Sequence, residues 1–134
     1  MARIRSLKLR WIHGHLAELA WEHTHRLISH PRAAVWQPAV NAFRCDEAYC
    51  VCVDLAGVGR EEIELTLEPG ILRIAGVRSA PEPHPEHGKA VRVLALEIDS
   101  GAFERKLQLP PDVAPDDIRA EQENGLLWIR LPIR

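Results

Sequence analysis

The sequence has few aromatic residues, few cysteines and no long apolar run. Aromatic residues make up 5% of the 134 residues, so a hydrophobic core must be built mainly from Val, Ile, Leu and Ala. Because no apolar run approaches the roughly 20 residues of a membrane-spanning helix, we predict no integral membrane segment. Ten prolines and eight glycines interrupt the chain and argue against a long helix or a coiled coil. What remains is one globular unit of ordinary size.

The three cysteines are too few and too crowded for a disulfide framework. Cys45, Cys50 and Cys52 are odd in number. Cys50 and Cys52 lie two residues apart in an apparent strand, where their side chains share a face and a bridge between them needs strained geometry. We interpret all three as small apolar residues that stay reduced. A redox switch or a metal site is the alternative.

Charge is distributed unevenly along the chain. Residues 1–35 hold six Lys or Arg and two Glu, whereas the whole chain has a formal charge of −2, so the first part is basic and the remainder acidic. The basic residues of positions 3–10 lack the density and the interleaved aromatics of a nucleic-acid or membrane-binding face. No small-residue cleavage site follows a secretory apolar core. We therefore predict a cytoplasmic protein without a nucleic-acid partner.

Apolar residues recur at steps of three or four between positions 7 and 28. This is the helical period, and Pro31 disfavours a helical conformation in the residue before it. The pattern predicts a short amphipathic helical arm within residues 1–35. Since a lone helix of this length is marginal in water, its apolar face needs a partner: the rest of the domain, another copy or an unfolded client. If that partner is an unfolded client, the candidate client-binding residues of the arm are Leu9, Trp11, Ile12, Leu16, Leu19 and Trp21.

Five of the seven histidines also lie in this arm. They would gain charge under mild acidification, because the ordinary pKa of His is about 6.5, and the clustering suggests a pH switch that loosens a packed arm. We predict no metal site, because no Cys or carboxylate joins these histidines at a known ligand spacing. The five are His13, His15, His23, His25 and His30.

After Trp36 the apolar period changes to two. Ile63, Leu65 and Leu67, for example, alternate with polar residues, as in a strand with one buried and one wet face. Turn residues such as Asn124-Gly125 separate the segments. Several short strands with a turn every 8 to 12 residues predict a β-sandwich. The predicted strands are 40–44, 49–55, 62–67, 71–77, 92–98, 103–109, 117–122 and 126–131.

A long polar loop spans residues 79–91, with prolines at positions 81, 83 and 85. A loop of this length is usually functional or disordered, and alternating prolines favour an extended, semi-rigid course. The loop is therefore expected to deliver the strand at 92–98 to a distant sheet edge, which includes the edge of a second copy.

The order of motifs resembles the small heat shock protein family. On this resemblance residues 1–35 are the N-terminal arm, residues 36–132 an α-crystallin domain and residues 133–134 a vestigial C-terminal tail. The resemblance depends on six features in the family's order: Trp36-Gln37-Pro38; Asp54-Leu55-Ala56-Gly57-Val58 followed by Glu61-Glu62-Ile63; Leu72-Arg73-Ile74-Ala75-Gly76; Gly101-Ala102-Phe103-Glu104-Arg105; Leu109-Pro110; and Ala120-Glu121-Gln122-Glu123-Asn124-Gly125-Leu126-Leu127.

The resemblance implies an all-β, immunoglobulin-like antiparallel sandwich and an ATP-independent holdase chaperone, which binds partly unfolded proteins and suppresses their aggregation. An unfolding client exposes apolar surface and strand edges, which a flexible arm beside a rigid sandwich can cover. The sequence contains no convergent nucleophile, base and orienting group and no nucleotide-binding pattern, so neither an enzyme nor a cofactor is predicted. An adaptor or co-chaperone docking module with the same fold is the alternative.

The resemblance also implies how copies associate. In bacterial and plant members such a loop carries a strand that exchanges into the partner's sandwich, so a homodimer is expected. Its interface would comprise Arg92, Val93, Leu94, Ala95, Leu96 and Arg105, and the planar fork of arginine suits such a position. A groove for an apolar tail or client segment would be lined by Leu65, Leu67, Ile118 and Ala120, whose alternation fits simple core packing equally well.

The family usually carries a C-terminal extension with an Ile-x-Ile-type motif that joins dimers into shells. Leu131 and Ile133 have the matching chemistry, but Leu131 ends the last predicted strand and Ile133 comes two residues later, so the motif has almost no tether. A dimer and a larger shell both stay open as the assembled state.

Overall fold

The computed structural model describes residues 9–11 and 35–134, which form a sandwich of two four-stranded sheets. The strands are β1 Leu9–Trp11, β2 Val40–Arg44, β3 Ala48–Asp54, β4 Ile63–Glu68, β5 Ile71–Arg78, β6 Gly101–Gln108, β7 Arg119–Glu123 and β8 Leu126–Pro132. One sheet has the strand order β1-β4-β5-β6 and the other β2-β3-β8-β7. The pairing of β1 with β4 is parallel, and the other strand pairs are antiparallel. Short 3₁₀ turns lie at Arg60–Glu62, Pro85–His87 and Pro115–Asp117.

The core between the sheets is built mainly from aliphatic side chains, as the composition predicts. In β8 the alternation is clear, because Trp128 and Arg130 are exposed and the residues on either side of each are buried. Phe103 is buried in the same cluster, and Trp36 and Tyr49 pack against it. Burying one face of each sheet in this way is the main favourable term in the stability of such a domain.

The face of β4 that was predicted to be wet is partly shielded. Thr66 is 1% exposed and Glu68 is also buried. The Thr66 hydroxyl donates a hydrogen bond to Glu64 Oε1 at 3.4 Å, which compensates for the removal of this polar group from water. Alternation therefore gives the inward face of β4 correctly and overestimates the exposure of its other face.

Tight turns join the hairpins at the residues that the sequence indicates. Asn124 and Gly125, between β7 and β8, have φ angles of 52° and 80°. A two-residue loop with positive φ at both positions matches the twist of the flanking strands and favours this dipeptide. The turn fixes the register in which Gln122 faces Leu127.

The alternation of apolar and polar residues predicts most strands correctly, since β2 to β8 all begin within two residues of their predicted starts. The strand predicted at 92–98 is wrong for the single chain, where these residues are irregular and exposed. A strand requires a neighbour that accepts and donates its backbone hydrogen bonds, and none of the described strands pairs with this segment.

The helix predicted for the arm is wrong at residues 9–11, which form strand β1. A segment of three residues fits either period. Pairing with the edge of β4 stabilises an extended conformation, whereas a short lone helix is only marginally stable in water. The part of the chain that the structure describes contains no α-helix, and hence no helix long and apolar enough to cross a membrane. Outside the described residues lie Ile12, Leu16, Leu19, Trp21 and the five arm histidines.

Candidate functional site

The outer edge of β4 accepts an additional strand. β1 pairs there in parallel, with Leu9 opposite Leu65 and Trp11 opposite Leu67. The edge of a sheet offers unpaired N–H and C=O groups, which pair readily with any extended segment that reaches them. This edge is therefore a binding site for extended chain, and it is the edge to which two of the predicted groove residues belong.

The four predicted groove residues all belong to the hydrophobic core of the sandwich or pack against it. Leu65, Leu67 and Ala120 are buried members of the core, and Ile118 is partly buried against them. β4 and β7 belong to opposite sheets, and β7 is the outermost strand of its sheet. The structure thus accounts for all four as packing residues, and their binding of a tail or client stays a prediction.

A cavity of about 250 Å³ continues from the end of β4. Leu67, Leu109, Val113 and several prolines form its mainly apolar wall, and Arg134 lies at one side. An apolar opening next to a strand edge provides a place for the side chain of a segment that pairs along that edge.

A hydrogen bond between two distant residues supports the loop that lines this cavity. The hydroxyl of Tyr49, on β3, donates to Asp112 Oδ1 at 3.0 Å. This bond, followed by burial and by the charge of Asp112, raises the pKa of Tyr49 above its ordinary value. Sequence reasoning missed this contact, because nothing in the local pattern relates residues 63 positions apart.

A second edge, that of β2, is open in the described chain. The N–H of Cys45 donates to the carbonyl of Ala48 at 2.8 Å and that of Asp54 donates to the carbonyl of Ala39 at 3.0 Å. Since antiparallel partners alternate between bonded and non-bonded pairs, the intervening residues Val40, Ala42 and Arg44 direct their N–H and C=O groups away from β3. These groups form a template for one more strand.

The segment predicted to exchange is apolar and exposed. Leu94 and Leu96 are 81% and 80% exposed, and Val93 is 66% exposed. A soluble monomer seldom presents so continuous an apolar run, so such a run usually marks an interaction surface. Arg92 and Ala95 are exposed with them.

Arg105, the other predicted interface residue, supports the beginning of the sandwich. Its Nη1 donates to the carbonyl of Pro38 at 3.3 Å, and its side chain is partly buried. Trp36 is attached to the same strand, because its N–H donates to the Ala102 carbonyl at 3.2 Å and its carbonyl accepts from Glu104 at 3.1 Å. Segment 36–38 is therefore fixed along β6. The position of Arg105 in a dimer stays a prediction.

Trp36 is also enclosed by side chains. The Arg78 guanidinium lies 4.2 Å from the centre of the Trp36 ring, a cation–π contact. The Phe103 ring is 5.3 Å away, and Trp36 Nε1 donates to the Gly101 carbonyl at 3.2 Å. The junction between the arm and the sandwich is consequently a fixed point.

The two residues considered as a tail motif are bound within their own chain. Leu131 is 2% exposed in the core. Ile133 forms a bridge with Val113, and its N–H donates to the Glu47 carbonyl at 3.1 Å. This placement argues against the tail motif, because docking Leu131 elsewhere would remove a side chain from the core.

Three further observations bear on the chemistry of the site. Cys45, Cys50 and Cys52 form no disulfide in the described structure, and their redox state stays a prediction. No group of three or more His, Cys, Asp or Glu side chains in the described ranges is arranged to hold a metal ion. Arg73 and Glu104 form an ion pair at 2.7 Å across β5 and β6, which links these strands on their outer face.

Comparison with known proteins gives a consistent result. Residues 42–134 match the family described as the Hsp20/alpha crystallin family. The chain is 34% identical over 97 residues to spore protein SP21 of Stigmatella aurantiaca, a match that covers 72% of this chain and 55% of SP21. It is 38% identical over 87 residues to the 16.9 kDa class I heat shock protein 1 of Triticum aestivum, covering 64% of this chain and 55% of that protein.

The fold is similar to that of a solved structure, hspA from Xanthomonas axonopodis. The TM-score is 0.64 at 32% sequence identity, and the match covers 75% of this chain and 97% of the other. The chain spans about half the length of the curated relatives that it matches.

Proposed function

The chain belongs to the Hsp20/alpha crystallin family, and on this premise we propose that it is an ATP-independent holdase chaperone of the cytoplasm. The observation that carries the proposal is the addition of a strand at the outer edge of β4, where β1 pairs. An extended apolar segment of a partly unfolded client takes the same place through main-chain hydrogen bonds. The adjoining cavity accepts one of its side chains, and Leu65, Leu67, Ile118 and Ala120 support the groove from below.

The arm acts together with this edge. Its apolar residues Leu9, Trp11, Ile12, Leu16, Leu19 and Trp21 contact clients directly, and residues beyond β1 form a short amphipathic helix when they do so. Strand β1 occupies the edge when no client is bound, so the arm and the client exchange places. Such capture needs only apolar area and mass action on the unfolded state, and no catalytic group.

The test is the aggregation of a heat-labile model protein, followed by light scattering. The full chain at an equimolar ratio is expected to suppress scattering, and a variant without residues 1–35 to lose most of this effect. A variant without residues 1–8 retains β1 and is the matched control, expected to act like the full chain. Absence of suppression by the full chain would overturn the proposal. Equal suppression by the variant without residues 1–35 would overturn the role of the arm.

We also propose that two copies form a dimer by strand exchange. Residues 92–96 of each copy add to the open edge of β2 in the other, and Arg105 lies near the contact. Two features support this: the outward N–H and C=O groups of Val40, Ala42 and Arg44, and the exposed apolar run that follows a loop long enough to leave the domain.

Ala42→Pro tests the receiving edge. Proline removes an outward N–H and leaves the bonds between β2 and β3 intact, and edge strands tolerate it. The expected result is a monomer by sedimentation with an unchanged far-UV circular dichroism spectrum. Lys89→Pro, in the loop before the exchanged segment, is the matched control and is expected to remain a dimer. A folded Ala42→Pro variant that still sediments as a dimer would exclude addition at β2.

A further inference from the structure

Two of the three thiols lie in contact at the end of the β2–β3 hairpin. Sγ of Cys45 and Sγ of Cys50 are 3.8 Å apart. Cys45 is exposed and Cys50 partly exposed, whereas Cys52 is 8% exposed. We propose that Cys45 and Cys50 form a reversible dithiol–disulfide pair that a hydroperoxide oxidises, a modification site separate from the β4 edge.

The backbone explains why these two thiols meet. Cys45 lies opposite Ala48 across the turn, since its N–H donates to the Ala48 carbonyl, and Phe43 lies opposite Cys50. Residues two apart on a strand share a face, so Cys45 and Cys50 are diagonal neighbours on the outer face of the sheet. Diagonal Cα atoms are about 7–8 Å apart, slightly beyond the roughly 4.4–6.8 Å usual for a disulfide.

Closing the bond therefore requires the hairpin end to tighten slightly. The side chains of residues 46 and 47 are exposed, so tightening the turn displaces no core side chain there. The turn is held by hydrogen bonds from the Ile133 N–H to the Glu47 carbonyl and from Arg44 Nη1 to the Asp46 carbonyl. A disulfide held in a tightened hairpin stores strain and is more easily reduced than a relaxed one. The pair is consequently suited to reversible oxidation rather than to permanent crosslinking.

The chemistry needs one equivalent of hydroperoxide. The exposed Cys45 sulfur attacks the peroxide oxygen, the O–O bond breaks, and Cys45 becomes a sulfenic acid while water or an alcohol leaves. The Cys50 sulfur then attacks the Cys45 sulfur, forms the S–S bond and releases water. Both thiols are oxidised by one electron each and the peroxide is reduced by two. A small thiol reductant reverses the reaction by thiol–disulfide exchange.

The environments of the two thiols indicate that Cys45 reacts with the peroxide and Cys50 attacks the resulting sulfenic acid. Burial and the contact with Cys45 raise the pKa of Cys50, although the facing Arg130 opposes this. A thiol with a raised pKa reacts slowly with a peroxide by itself, so Cys50 acts on the sulfenic acid at Cys45. Burial also raises the pKa of Cys52, which keeps that third thiol reduced.

Mass spectrometry of the peroxide-treated full chain tests the proposal. We expect a loss of about 2 Da, equal to two hydrogens, and one thiol left for alkylation. Trypsin leaves all three cysteines in the fragment 45–60, and cleavage after Glu47 then separates Cys45 from the other two. Two pieces that remain linked until a reductant is added would support the bond.

Single substitutions identify the partners. Cys52→Ser is the matched control and is expected to form the link as the unmodified chain does, whereas Cys45→Ser and Cys50→Ser are expected to lose it. Because Cys45 is exposed, its replacement leaves the core unchanged, so Cys45→Ser stays informative even if Cys50→Ser fails to fold. Three results would overturn the proposal: a link that persists in Cys50→Ser, a crosslink between two chains through Cys45, or a sulfinic acid at Cys45 with Cys50 still free. None of these readouts depends on chaperone activity.

Discussion

Leu94 and Leu96 provide the most direct measure of the proposed exchange between two copies. Their side chains are 81% and 80% exposed in the single chain, so almost all of their apolar area is available for burial in a partner. Burying a Leu fully gives about 1.5–3 kcal/mol, of which replacement by Ala removes about 1.5 kcal/mol for each residue. The double variant Leu94→Ala/Leu96→Ala is thus expected to lose about 3 kcal/mol of dimerisation free energy for each exchanged segment.

A two-fold dimer contains this contact twice. The double variant is therefore expected to weaken the dimer by about 6 kcal/mol, or roughly four powers of ten in Kd. Sedimentation equilibrium over a dilution series measures this change. Since both side chains are exposed in the single chain, the melting temperature of the monomer is expected to stay the same.

Val93→Ala is the matched control for this prediction. Val93 lies on the opposite face of an extended segment from the two leucines, and its replacement is expected to change Kd less than tenfold. A double variant whose Kd stays within tenfold of the original would refute the reasoning. So would a larger effect for Val93→Ala, because the leucines would then not be the buried face.

Two further predictions concern stability. Gly76→Ala places a Cβ 1.9 Å from the Glu62 carbonyl oxygen, so we expect a loss of about 2 kcal/mol and a Tm lower by roughly 10 °C at fixed chain concentration. Gly57 has a φ of 80°, and no atom lies near a Cβ added there, so Gly57→Ala should lose only about 1 kcal/mol of stability through backbone strain. Equal losses of stability in the two variants would contradict the clash at Gly76. The hydrogen bond to Asp112 raises the pKa of Tyr49 in the folded chain. The contribution of this bond to the free energy of unfolding is therefore present below the unfolded pKa of 10.0 and disappears as pH rises through the folded pKa. The urea midpoint should consequently fall more steeply between pH 9 and 11 in the original chain than in Tyr49→Phe, and parallel curves would argue against this bond.

The strands could be predicted because their signal is local. Alternation along β4 and β8 reflects burial of one face, and turns such as Asn124-Gly125 have a specific backbone requirement. The two segments that were predicted wrongly, 9–11 and 92–98, have conformations that depend on a neighbour. β1 is a strand because β4 lies beside it, and 92–98 is irregular because it pairs with no described strand of its own chain.

The site was predictable only in part. Leu65, Leu67 and Ala120 were predicted to line a groove, and the structure places them in the core. The pairing of sheets that a groove requires came from the family resemblance, because periodicity cannot give it, and the groove itself stays a prediction. The thiol pair was missed, because spacing along the chain drew attention to Cys50 and Cys52, whereas the turn brings Cys45 to Cys50. Contacts across a turn or between sheets depend on register, which single-residue patterns do not encode.

The position of β8 affects how the domain is synthesised. β8 lies between β3 and β7 in its sheet, yet it follows both in the sequence. During translation, β3 therefore waits for a partner that begins at Leu126, more than seventy residues after its own end. Pairings so distant in sequence form slowly, and until β8 emerges from the ribosome the backbone N–H and C=O groups on that side of β3 have no strand partner. A nascent copy of this protein thus passes through a state with an unpaired strand edge, and such edges are prone to aggregation.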